Sequence, residues 1–168
     1  MNRVIVLVVA CLLAGCSAPQ LPPGNPDSFF AQRMILHTNQ AVEAAKLVEG
    51  RTGTPALKTI AQRIQAQPAA EIAQLTGLVR EWGEVPHVSD ASLPGAIKAS
   101  DLDKLREVKD QKFDTGWMDL MIVHHLGAIK MAETELRQGT KAEAKALAQK
   151  VIDVRQPELD VLQGMSGG

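Results

Sequence analysis

The chain repeats itself at an interval of 87 residues, and this duplication constrains its fold more than any other feature. Shifting the sequence by that interval, without a gap, brings like residues together across two helix-like segments. Asp27, Met34, His37, Ala41, Ala45 and Ala61 then coincide with Asp114, Met121, His124, Ala128, Ala132 and Ala148. One offset holding over two segments is more than shared helical composition produces, and it indicates an internal duplication. Since a helical hairpin buries its apolar face only against a partner, the two halves are predicted to pack together.

The hydrophobic pattern within each half is helical. Aromatic residues make up only 3% of the chain and tyrosine is absent, which disfavours strands. We therefore predict an all-α protein, a ferritin-like four-helix bundle made of two duplicated helical hairpins. The hairpins are expected at 27–82 and 114–163, joined by a linker at 83–113. Asp27 is expected to cap the first helix, and Pro68 to kink the second.

The N-terminus has the pattern of a bacterial lipoprotein signal. A positive charge precedes an apolar run that is too short to span a bilayer. The run ends in Leu13-Ala14-Gly15-Cys16, which resembles the lipobox whose cysteine receives a thioether-linked diacylglycerol. We predict a signal peptide at 1–15, a lipid-anchored proline-rich tether at 16–26 and the bundle at 27–168, with Cys16 as the lipidation site. The protein is then expected in the cell envelope, on the extracytoplasmic face of a bacterial membrane.

The charge and the cysteine content of the chain restrict the kinds of ligand that it is expected to bind. The formal net charge is −1 with both signs interspersed, so no basic surface for nucleic acid is expected. Cys11 would leave with the signal peptide and Cys16 would be acylated, so the mature domain would have no thiol. Any soft metal ligand would then have to be a methionine sulfur.

One helical face in the second half concentrates candidate ligands. Met121 lies three and four residues before His124 and His125, so all three side chains share an inward face. A thioether with imidazoles suits copper, above all Cu(I), whereas zinc prefers more histidine or carboxylate ligands. Because the Met-x-x-His pair recurs as Met34 and His37, we predict a metal site of Met121, His124 and His125 with these two as further contributors. Whether the two groups meet depends on the direction of the first and third helices, which the sequence leaves open.

Two other functional classes compete with a metal site. Methionine on the inner face of a bundle is also ordinary core, and a buried histidine is often a hydrogen-bonded core residue. A metal-free, membrane-tethered structural or protein-interaction module is therefore the alternative. An enzyme is not expected: a di-iron site needs Glu-x-x-His on the bundle helices, and that motif occurs only as Glu84 to His87 in a loop. No nucleophile motif or phosphate-binding loop is present in the sequence either.

Nearly all of the predicted mature chain, including the linker stretch Leu93-Pro94-Gly95, also resembles a known family. The segments that carry the resemblance are Phe113-Asp114, Met121-Ile122-Val123-His124-His125, Ala128-Ile129 and Met131-Ala132. They resemble the signature of the bacterial domain of unknown function 305 family. The resemblance implies ferritin-like helical bundles, frequently exported or lipid-anchored, of which several are associated with copper handling in the cell envelope. The first half departs from the family's Met…His-His…Ala…Met-Ala pattern, with Thr38 in place of the second histidine and Ala44 in place of the later methionine.

Overall fold

The computed structural model describes residues 25–83 and 93–167. Within these ranges the chain forms six helices and no strand: α1 (Pro26–Lys46), α2 (Pro55–Ala66), α3 (Pro68–Glu81), α4 (Ala99–Arg106), α5 (Asp110–Gln138) and α6 (Ala142–Ser166). None of these helices is both long and apolar enough to cross a membrane. The predicted signal peptide, Cys16, nearly all of the predicted tether and the loop motif ending in His87 lie outside the described residues.

Five of the six helices form four rods, and the short helix α4 lies in the connection between α3 and α5. α2 and α3 are one rod bent at Gln67, whose backbone stays helical and donates its N–H to Arg63 O at 3.1 Å. Pro68 has no N–H with which to continue the hydrogen bonds of α2, so the helix is interrupted there, as predicted, and Pro68 becomes the first residue of α3. Pro157, by contrast, lies inside α6 without interrupting it.

α1 and α5 cross in opposite directions. The ring of His37 on α1 stacks on that of His124 on α5. Further along α1, Ala44 O accepts from Nε1 of Trp117, which lies before His124 on α5, at 2.9 Å. Residue numbers therefore decrease along α5 in the direction in which they increase along α1. Each hairpin is itself antiparallel because its connection is short, so α3 and α5 run the same way and need a long crossover. This is the ferritin-like four-helix bundle of two duplicated hairpins, and the predicted fold class is confirmed.

The two halves make equivalent contacts with each other. Asp27 accepts from Thr140 N and Lys141 N, both at 2.8 Å, at the start of α6. Its counterpart Asp114 accepts from Thr54 Oγ1 at 2.5 Å, at the start of α2. Each hairpin's first helix thus holds the start of the other hairpin's second helix.

The expected capping role of Asp27 was wrong. The N-cap of α1 is Asn25, whose side chain accepts from Asp27 N at 3.1 Å. Asp27 satisfies backbone N–H groups at the start of α6 instead, a contact between residues distant in sequence. α5 likewise begins at Asp110, earlier than the predicted start at 114, and Asp110 N donates to Arg51 O at 2.7 Å.

The core consists of two apolar clusters that are repeat equivalents. The Phe30 cluster contains Phe30, Ala31, Met34, Leu75, Val79, Leu93, Ala128, Met131, Ala132, Ala148 and Val151. The Trp117 cluster contains, among others, Ala41, Ala44, Ala45, Leu57, Ile60, Ala61, Ile64, Phe113, Trp117, Met118, Met121 and Leu162. Between them on all four rods lie buried polar side chains, here called the polar layer: His37, Thr38, Glu71, His124, His125, Arg155 and Glu158. The candidate site therefore lies at the centre of the bundle.

Candidate metal centre

The antiparallel crossing of α1 and α5 brings His37 and His124 face to face. Their ring centroids are 3.7 Å apart and the ring planes differ by 32°. His124 Nε2 donates to His37 O at 3.1 Å, and His37 Nε2 donates to Pro94 O at 3.0 Å. Because a carbonyl oxygen only accepts, each Nε2 carries the hydrogen and each lone pair lies on Nδ1.

The linker reaches His37 because two glycines let the backbones touch. A Cβ on Gly95, whose φ is +66°, would lie 2.4 Å from Val123 O, and one on Gly127 would lie 2.1 Å from Pro94 O. Only glycine fits such an approach, and the positive φ at Gly95 favours it further. The linker thus crosses α5 at the level of the polar layer, and Pro94 O orients His37.

His125 points away from this stack to a carboxylate. Its Nε2 donates to Glu158 Oε2 at 2.9 Å, and both side chains are buried. In the first half, Thr38 Oγ1 donates to Glu71 Oε1 at 2.8 Å. The two pairs are repeat equivalents, each spanning 33 residues. Arg155 lies between the carboxylates, 3.7 Å from Glu158 and 3.9 Å from Glu71.

Two ring nitrogens of the polar layer have no partner among the described residues. Nδ1 of His124 and Nδ1 of His125 are both buried without a hydrogen bond. Native proteins seldom leave buried polar atoms unpaired, and an unpaired imidazole lone pair with the opposite nitrogen bound to oxygen is the arrangement of a metal ligand. The ring centroids of His124 and His125 are 6.3 Å apart. Two imidazoles that bind one ion at about 2.0 Å each have centroids about 5–6 Å apart, depending on the angle at the ion, and the observed separation is close to this range.

The two predicted methionine ligands lie on opposite sides of the polar layer. Met121 is fully buried one helical turn before both histidines of α5, on the side of the Trp117 cluster. Met34 is equally buried but belongs to the Phe30 cluster, on the other side of the polar layer. Since each methionine is three residues from its histidine, the two lie about 9 Å apart along the bundle axis.

His37 meets His124 through its face. An imidazole lone pair lies in the plane of the ring, so an ion between the stacked faces would be ligated by neither. The described part of the chain holds no group of three or more His, Cys, Asp or Glu side chains suited to a metal. The further side-chain donor that suits an ion at His124 and His125 is then a methionine sulfur, and Met121 is the nearest in sequence. The participation of Met34 and His37 stays a prediction.

The stacked histidines are held neutral. Burial lowers the pKa of His37 to about 4, with the neighbouring Arg155, His125 and Arg33 lowering it further and the hydrogen bond to Pro94 opposing them. Burial lowers the pKa of His124 well below its usual value of 6.5, again reinforced by the neighbouring histidines and Arg155. Neutral imidazole is the form that binds metal, so protons compete little at neutral pH.

Four residues of the polar layer were not among the predicted site residues: Thr38, Glu71, Arg155 and Glu158. Glu71 and Glu158 did carry a signal, because they coincide under the 87-residue shift as the histidines do. Arg155 carried none, since its counterpart in the first half is Pro68. Its place in the layer follows only from the packing of α6 against α3 and α5.

Comparison with known proteins places the chain in a family. The family model for the domain of unknown function DUF305 matches residues 27–166. Three similar solved structures are a candidate secreted DUF305 protein from Streptomyces coelicolor, a DUF305 fragment from Deinococcus radiodurans, and CopM in its Cu(I)-bound form. The first is 24% identical with a TM-score of 0.76, covering 84% of this chain and 91% of that one. The second is 23% identical with a TM-score of 0.76, covering 89% and 99%.

CopM in the Cu(I)-bound form is 24% identical with a TM-score of 0.70, covering 83% of this chain and 94% of that chain. At these identities the likeness shows a shared fold. Among curated protein sequences none matches. With the family model covering most of the described helices, from the start of α1 to the end of α6, the chain belongs to the DUF305 family.

Proposed function

We propose that this protein is a cell-envelope lipoprotein that binds copper through His124, His125 and Met121. The observation that carries the proposal is the pair of buried, unpartnered Nδ1 atoms on adjacent histidines whose other nitrogens are bound to oxygen. Two imidazoles and a thioether form a soft-to-borderline donor set, which favours Cu(I) over zinc. The proposed role is binding, without catalysis.

Structures of relatives support the choice of metal. CopM shares this fold and has been solved in Cu(I)-bound, Cu(II)-bound and Ag-bound forms. Silver as Ag(I) is, like Cu(I), a soft monovalent cation that prefers nitrogen and sulfur ligands.

The location is part of the proposal. Cys16, at the end of the lipobox-like segment, would carry the lipid and hold the bundle at the extracytoplasmic face of the membrane. The related protein from Streptomyces coelicolor, a candidate secreted protein, supports export. Mass spectrometry of the native N-terminus tests this: an acylated Cys16 is expected, and a chain still beginning at Met1 would contradict it.

A metal-free interaction module remains the second candidate. It is favoured by Val123 and Leu126, which lie one turn apart on the outer side of α5 and are 57% and 48% exposed. Exposed aliphatic side chains on a helix are suited to contact with another protein. This candidate predicts that the histidines matter for stability and not for metal.

The experiment that separates the two is a Cu(I) titration in competition with a chelator, on protein purified without chelators or a His-tag. The double variant His124→Ala/His125→Ala is expected to lose at least about tenfold in Cu(I) affinity while keeping its helical circular dichroism. Met121→Leu is compared with Met131→Leu, a buried methionine of the same helix about 10 Å along the axis from His124. Only Met121→Leu should weaken binding. Equal affinity in the wild type and the histidine variant would exclude these histidines as the site.

A further inference from the structure

The proposed ligands are closed off from solvent. Met121 and His125 are 0% exposed, and His124 is 1% exposed. An ion can therefore reach them only when part of the protein moves aside, and the same movement must precede its release. The helices are poorly suited to this movement: α1 and α5 each contribute to both apolar clusters, so parting them would open the whole core.

The described end of the linker, residues 93–97, covers the polar layer without being helical and is here called the strap. Leu93 packs in the Phe30 cluster, and Ile97 packs in the Trp117 cluster. Both side chains are 5% exposed. Because the polar layer lies between these clusters, the strap runs across it from one apolar cluster to the other.

The middle of the strap lies on the stacked histidines. Pro94 O accepts from His37 Nε2 at 3.0 Å, and a Cβ on Gly95 would lie 3.1 Å from His124 Cα. When the strap moves away, His37 loses its hydrogen-bond acceptor, and nothing in the strap then holds its ring against the ring of His124. Displacing the strap therefore uncovers the polar layer between α1 and α5.

Few contacts hold the strap in place. Among the described residues, two hydrogen bonds join it to the helices, the one from His37 to Pro94 O and one from Ile97 N to Gln40 Oε1 at 3.1 Å. Both helix residues belong to the same turn of α1, and the two buried aliphatic side chains complete the attachment. A segment held by so few buried contacts opens locally at a much lower free energy than the whole protein unfolds.

We propose that the strap is the gate of the metal site, which moves away from α1 and α5 to admit the ion and returns over the histidines to retain it. This inference rests on the proposed function and adds the route by which the ion enters and leaves. A gate that opens equally with and without the ion multiplies the rates of uptake and release by the same fraction of open protein. Loosening the gate therefore changes both rates and leaves the affinity unchanged, whereas removing a ligand weakens the affinity.

The test measures Cu(I) uptake and release by stopped flow, with a chelator first as the donor and then as the acceptor of the ion. Leu93→Ala removes one anchor of the strap, and Gln40→Leu removes the acceptor of Ile97 N. Each variant should raise both rates at least about tenfold and keep the Cu(I) affinity within about threefold of the wild type. Leu75→Ala is the matched control, because it shortens a buried leucine of the same Phe30 cluster on α3, and it should leave both rates unchanged.

A second measurement needs no metal. The N–H of Ile97 is released when the strap opens, whereas the amides in the middle of α5 are released only by larger unfolding. In the metal-free wild type, hydrogen exchange of the Ile97 amide should be at least about a hundredfold faster than exchange of those helical amides.

Faster uptake and release in both strap variants, at unchanged affinity and retained helicity, supports the proposal. Rates equal to the wild type in Leu93→Ala and Gln40→Leu overturn it, as does an equal rise in Leu93→Ala and Leu75→Ala. An Ile97 amide that exchanges as slowly as the amides of α5 also overturns it, because the strap then opens only when the protein unfolds. Absence of Cu(I) binding by the wild type would refute the proposed function itself, whereas a strap that fails these tests leaves the metal site standing.

Discussion

Replacing Gly127 with alanine tests how the linker is held over the histidines. A Cβ at this position would lie 2.1 Å from Pro94 O, 2.6 Å from Pro94 C and 3.0 Å from Gly95 Cα, all backbone atoms. Ordinary contact begins at 3.4 Å, so the linker must move away from α5. That movement separates Pro94 O from His37 Nε2, which now donates to it at 3.0 Å.

The expected change in the free energy of unfolding of Gly127→Ala is the sum of three contributions. Overpacking against backbone costs about 1–3 kcal/mol. Losing the hydrogen bond from His37 to Pro94 adds about 1 kcal/mol. Replacing glycine by alanine inside a helix returns about 0.5–1 kcal/mol. The net expectation for Gly127→Ala is a destabilisation of about 1–3 kcal/mol.

Urea unfolding, monitored by circular dichroism, measures this loss of stability, and Gly77→Ala is the control. Gly77 lies inside α3, is exposed, and has nothing within 4 Å of its added Cβ, so that variant should gain about 0.5–1 kcal/mol. If Gly127→Ala is as stable as the wild type while Gly77→Ala gains stability, the linker does not pack on α5 in this way.

Three further predictions concern the core and the repeat. Trp117→Phe removes the buried hydrogen bond to Ala44 O and should destabilise by about 1–3 kcal/mol in urea unfolding; an unchanged midpoint would contradict this. Burial, with a hydrogen bond to Asp27 and repulsion from it, raises the pKa of Glu135 to about 8 against the opposing charge of Lys145. The native state then keeps a proton that the unfolded chain loses above about 4.5, so stability falls as pH rises from there to about 8. Glu135→Gln should therefore raise the melting temperature most at pH 8 and least near pH 4.5; an equal gain at both would count against it. Thr38→His restores a histidine opposite the buried glutamate of the first half and should raise the Cu(I) stoichiometry from one to two per chain, provided helicity is retained.

The fold was predictable because it is specified by two regular sequence patterns, the helical spacing of apolar residues and the 87-residue repeat. The 87-residue shift pairs Met34 with Met121 and His37 with His124, and all four side chains are buried at equivalent places in the two halves. Helical spacing alone sufficed to place them on inward faces. The bend at Pro68 followed from the missing N–H of proline.

The arrangement of the site was not predictable, because it depends on contacts between elements distant in sequence. The antiparallel stagger of α1 and α5 decides that His37 stacks on His124 and that Met34 and Met121 lie on opposite sides of the polar layer. Pro94 reaches His37 only through two glycine contacts that no periodic pattern records. Asp27 caps a helix that begins more than a hundred positions later in the chain, so a local capping rule misassigned it.

X-ray absorption at the copper edge of the Cu(I)-loaded protein tests the central claim most directly, because it identifies the atoms bound to the metal. The wild type is expected to show two nitrogen neighbours and one sulfur neighbour. The sulfur should disappear in Met121→Leu and persist in Met131→Leu, and the nitrogens should disappear in His124→Ala/His125→Ala. A copper shell of nitrogen and oxygen alone, or one that the histidine variant leaves unchanged, would contradict binding at this site.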